Sequence, residues 1–118
     1  MFSVHAEQAV LAAALKARGY HCLLELLHPD APIKPRHRRA LLRARRMFRG
    51  LSIAVERQTA TEGWANAMPC ARCKQMLLRF GIQKVEYTTP DGWVVGKVRD
   101  CSSKETTAYH NCAHVLLT

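Results

Sequence analysis

No stretch of this 118-residue sequence approaches the roughly 20 consecutive apolar residues that a membrane-spanning helix needs. Its first residues also lack the charged-then-apolar layout of a secretory leader. Cysteine is scarce and odd in number, five in all, which fits a reducing compartment better than a framework of disulfides. These absences lead to an intracellular expectation, whether cytoplasmic, organellar or viral, with no membrane partner. A further absence is local. Residues 34–49 contain no acid at all, against eight cations: Lys34, Arg36, Arg38, Arg39, Arg43, Arg45, Arg46 and Arg49. The net charge of the whole chain is +9, so taking these eight away leaves about +1. The basicity is therefore confined to one segment.

The length suits one domain with a single core. Apolar residues recur at helical spacing from His5 through Ala6, Ala9, Val10, Ala13, Ala14 and Ala17, and Gly19 is a natural stop. The spacing predicts a helix that buries its alanine face on a sheet, with His5 and Glu7 in its first turn. Residues 20–28 are apolar and read equally as a strand or a short helix. Pro29, Pro32 and Pro35 then break regular structure. A helix is expected over 37–49 and a strand over 51–59. A loop follows over 61–68, then a helix over 70–80 with Cys73, Met76, Leu77 and Phe80 as its buried stripe. Strands over 82–88 and 93–98 flank a turn at Pro90-Asp91-Gly92.

The chemistry is concentrated in two short stretches, His5-Ala6-Glu7 and Pro69-Cys70-Ala71-Arg72-Cys73. Two cysteines at i and i+3 of a helix share a side, so one Zn²⁺ can take both sulfurs. Pro69 suits the first helical position, where its missing N–H costs nothing. His5 is the candidate third ligand, and three protein ligands are the catalytic rather than the closed structural arrangement. Glu7, two residues on, can stand beside the metal without binding it. By itself Cys-x-x-Cys also reads as a redox pair or as half of a structural zinc site, and neither gives His5 or Glu7 a role.

His-x-Glu followed by Pro-Cys-x-x-Cys is the signature of zinc nucleobase deaminases. The chain resembles the cytidine/deoxycytidylate deaminase superfamily in residues 5–17 and about 51–98, including Gly-Ile-x-Lys-Val-x-Tyr at 81–87 and the later Asp91-Gly92. The resemblance implies an α/β fold, a small mixed sheet between helices, in which the usual N-terminal β-hairpin before His-Ala-Glu is missing. It implies one domain over 1–118, with a basic insertion at about 29–50 and a C-terminal extension at about 100–118. It assigns zinc to His5, Cys70 and Cys73, the proton shuttle to Glu7, and the exocyclic amine of the base to a backbone carbonyl near Met68. Met68 itself stands where a small polar or acidic residue is more usual.

The implied activity is hydrolytic deamination of cytosine, with adenine a secondary choice. Arg36, Arg38, Arg39, Arg43, Arg45, Arg46 and Arg49 suggest a nucleic-acid partner, because the guanidinium fork matches phosphate oxygens. Two alternatives accompany this reading. One is a non-enzymatic, deaminase-fold subunit of a ribonucleoprotein or virion; the other is a free-nucleotide deaminase of the deoxycytidylate type. A homo-oligomer or larger assembly is compatible with each. Cys101, His110, Cys112 and His114 match no metal spacing and read as ordinary thiols and surface histidines.

Overall fold

The computed structural model describes residues 6–58, 63–101 and 113–117, and for 113–115 the backbone alone. Helix α1 spans Ala6–Ala17, α2 Arg38–Phe48 and α3 Ala71–Arg79, with a 3₁₀ helix at His21–Leu27 after α1. The strands are β1 Ser52–Arg57, β2 Lys84–Thr89, β3 Gly92–Lys97 and β4 Ala113–Leu117. They form one mixed sheet in the order β3-β2-β1-β4. β1 and β2 are parallel, with Ile53 beside Val85 and Val55 beside Tyr87, and α3 makes the crossover that parallel strands require. β3 returns antiparallel to β2 through the expected turn, and β4 lies antiparallel on the other side of β1, with Ile53 opposite Leu117.

Strand alternation decides which sheet face is packed. Ile53, Val55, Val85 and Tyr87 point to one side and are buried with Leu11 and Leu15 of α1, Leu41 and Phe48 of α2, and Met76 and Leu77 of α3. On the other side Lys84, Glu86, Val95 and Leu116 are exposed, and Ala54 is half-buried. Among the described residues the helices therefore gather on one face, and the expected sheet between helices is a two-layer arrangement. The basic segment is no appended arm, because the apolar stripe of α2 belongs to the single core. Phe48 meets Phe80 edge to face, with centroids 6.1 Å apart.

Two local expectations change. α1 buries Glu7, Leu11 and Leu15, while Ala9, Ala13 and Ala17 are exposed. Leucine removes far more apolar area from water than alanine does, so the Leu11 and Leu15 pair at i and i+4 turns inward and carries Glu7 on the same row. At α3, the N-cap is Cys70, with extended backbone, and Pro69 precedes it. Pro69 is thus outside the helix, and only Cys73 of the two cysteines lies within it.

Gly81 ends α3 with φ +84°, and a Cβ there would stand 3.4 Å from the Arg45 carbonyl oxygen. A left-handed residue close to another backbone is a position for glycine. Residues 20–28, undecided between strand and helix, contain the 3₁₀ helix, whose Leu23, Leu26 and Leu27 are buried.

Candidate functional site

α3 begins where the parallel strands β1 and β2 end, the usual location for a site in an α/β sheet. The loop 63–69 carries the chain from β1 to Cys70, and Thr88 holds it. The Thr88 hydroxyl donates to the Ala65 carbonyl at 2.9 Å and accepts from the Arg57 N–H at 3.1 Å, and its own carbonyl accepts from the Ala67 N–H at 2.9 Å. The Asn66 side chain accepts from the Met68 N–H at 3.1 Å, which fixes the approach to Pro69. Thr88 shares the outward parity of Lys84 and Glu86, yet it is fully buried beneath this loop. Sequence reading missed it because nothing in the alternation marks which outward position a loop will cover.

Glu7, Cys70 and Cys73 converge at the first turn of α3. Glu7 is 0% exposed, Cys70 5% and Cys73 3%. Cys73 is within hydrogen-bonding reach of Cys70 and of the Glu7 carboxylate. Its thiol is held far above the ordinary range, first by the hydrogen bond with Cys70, then by burial and by the negative charge of Glu7.

Two soft sulfur donors buried side by side are a donor pair that a divalent cation such as zinc would suit. Among the described residues no group of three or more His, Cys, Asp or Glu side chains is arranged to hold a metal. The third expected ligand, His5, lies outside the described residues. Gln8, His28, Arg72 and Met76 line a small cleft that reaches Cys73 from the side of the 3₁₀ helix.

Cys101 is buried, its thiol raised chiefly by burial, and it donates to the Lys97 carbonyl at 3.6 Å. His110 and Cys112 lie outside the described residues, as does the side chain of His114.

The seven arginines separate into two groups. Arg36 pairs with Glu25 at 2.5 Å, and Arg45 donates to the Arg79 carbonyl at 2.8 Å, so both are committed to internal contacts. Arg38, Arg39, Arg43, Arg46 and Arg49 are exposed and fall within an arc of about 140° at 100° per residue, with exposed Leu42 among them. None of the five is paired among the described residues. α2 packs on the C-terminal end of α3, through Arg45 on Arg79 and Phe48 on Phe80. The nine residues of α3, about 13 Å at 1.5 Å each, thus separate the arginine face from the cysteines.

Among the described residues no helix is long and apolar enough to cross a membrane. No protein-family model, curated protein or solved structure matches the chain, so the reading of the site rests on its residues.

Proposed function

We propose that this protein is a zinc-dependent hydrolytic deaminase of a cytosine base, acting on single-stranded nucleic acid. The observation that carries the reading is Glu7, a carboxylate at 0% exposure beside two buried thiols. Burying a carboxylate costs several kcal/mol unless the site repays it, and an apolar residue at the head of the Leu11–Leu15 stripe would pack at no such cost. A structural zinc has no use for a carboxylate that is not a ligand. An acid–base catalyst does.

Cys70 and Cys73, with His5, would hold the metal. Zinc, when bound, supplies a Lewis acid that brings the pKa of a coordinated water toward neutrality. Glu7 takes a proton from the attacking water and passes it to the ring nitrogen of the base, which makes the amino-bearing carbon electrophilic. Oxygen bonds to that carbon, Glu7 takes the remaining proton of the new hydroxyl and delivers it to the amine, the C–N bond breaks as the carbonyl forms, and the products are a uracil base and ammonia. The loop pinned by Thr88 would offer a carbonyl near Met68 to the exocyclic amine. β4 flanks β1 antiparallel on the side away from β2. The exposed arginine face of α2 favours a polyanionic substrate over a free nucleotide, because five guanidinium groups match a run of phosphates better than the phosphates of one nucleotide.

Glu7→Ala tests the reading. The variant should keep its fold and zinc while ammonia release from cytosine-containing single strands falls by about 10²–10⁴-fold. A parent protein that releases no ammonia from nucleosides, nucleotides or single strands would leave Glu7 without its assigned role and overturn the proposal.

A further inference from the structure

Trp64 and Trp93 are the two tryptophans of the chain, and both are substantially exposed, at 38% and 45%. They meet edge to face with centroids 6.2 Å apart and an interplanar angle of 68°. Trp93 projects from β3 on the open sheet face, and Trp64 belongs to the loop that runs to Cys70. Gln58, Gly63 and Pro90 complete an open cleft at Trp64. Neither ring is needed to fill the core, and a buried position would be worth more to a residue of this size. Edge-to-face contact leaves ring faces free to accept a planar partner.

We infer that Trp64 and Trp93 form a stacking platform for a base of a single-stranded nucleic acid, one that neighbours the base entering the candidate site. The inference rests on the nucleic-acid substrate proposed above. Three features favour a nucleotide over an apolar protein surface as the occupant. The six residue steps from Trp64 to Cys70 span at most about 20 Å of extended chain, so a strand with one base at the cysteines can lay a neighbour on the rings. The platform is fixed rather than adaptable, since Thr88 anchors the loop on the same strand ends that carry Trp93 through β2 and β3. The arginine face of α2 attracts a polyanion to the protein as a whole, an attraction that an uncharged apolar partner would not share. Aromatic faces accept any base, so the platform contributes affinity and register rather than a sequence preference.

With two tryptophans in the chain, intrinsic fluorescence reads this site directly. Saturating the full chain with a short deoxycytidine oligonucleotide at low salt should quench tryptophan emission, with binding followed separately by anisotropy of a labelled strand. An abasic strand of equal length should bind through its phosphates and leave emission nearly unchanged. Trp93→Ala should weaken the base-bearing strand by about 5- to 100-fold, leave the abasic strand unaffected and keep the salt slope, while Trp93→Phe should restore most of the affinity. Strand binding without quenching, or equal quenching by the abasic strand, would overturn the platform and leave the nucleic-acid reading standing. An emission shift that depends on protein concentration without any strand would overturn it in favour of a second copy covering the rings. Absence of strand binding would overturn both this inference and the nucleic-acid substrate, while ammonia release from free nucleotides would still report on Glu7.

Discussion

Glu25 stands where two donors meet. Arg36 and the fully buried His37 both reach its Oε1, and His37 accepts the Lys34 N–H on Nδ1 at 2.9 Å, which leaves Nε2–H to donate to Glu25. Its carboxyl is held below the ordinary value of 4.5, first by Arg36 and then by His37. A depressed folded pKa contributes stability above the unfolded value, lost as pH falls through the folded one. Thermal melts of Glu25→Gln should therefore lie below those of the parent at neutral pH, and the gap should close in acid below about pH 4.5. Glu25→Leu should differ at every pH, because it strands a buried ring N–H. A gap that widens in acid would contradict this account. Glu7 was legible at the same scale, since His-x-Glu marks it chemically. Its burial was obscured because alanine spacing suggested the opposite face of α1.

At the scale of elements, α2 was legible in its extent, from His37 to Arg49 in sequence and from Arg38 to Phe48 in the fold. What sequence could not divide was its arginines. Arg45 looks like its neighbours until α3 places the Arg79 carbonyl against it, a long-range contact invisible to local periodicity. The division makes a sharper test. Replacing Arg38, Arg39, Arg43 and Arg46 by Gln should reduce the salt slope of single-strand binding by up to about 3, at roughly 0.7 per phosphate contact, while melting temperature stays close to the parent's. Arg45→Gln should do the reverse, lowering stability with little change in slope. An unchanged slope in the fourfold variant would assign this face to something other than phosphates. Arg79 locks α3 in place by donating to the carbonyls of Leu26, His28, Pro29 and Ala31, another role that a charged position on an exposed-looking helix row does not announce.

For the whole molecule, the α/β class and the succession of β1, α3, β2 and β3 were readable because each element carries its own period and its own stop. The pairing of β4 with β1 was not, because residues 113–117 carry no signal that names a partner so distant in sequence. Among the described residues helices cover one sheet face rather than two, and for a related reason sequence could not say so: alternation in β1 and β2 gives one packed face but not whether a second layer covers the other. Zinc would act at this scale as well, since it would tie the start of α1 to the start of α3. Purified protein should contain about one zinc per chain, lost in Cys70→Ser or Cys73→Ser, and chelation should lower the melting temperature because the metal binds the folded state alone. Full zinc occupancy in both variants would exclude the proposed ligands.

The position of β4 also orders events in time. Ile53 and Leu117 are about 60 residues apart in sequence yet adjacent in the sheet. When β1, α3 and β2 have left the ribosome, the outer edge of β1 still presents unpaired N–H and carbonyl groups beside apolar side chains. It stays so until residues 113–117 emerge, an interval of several seconds at ordinary synthesis rates. Such an edge is a template for pairing with another nascent chain. Among the described strands, the step most exposed to aggregation is thus the arrival of β4, a non-local closure of the kind that slows folding.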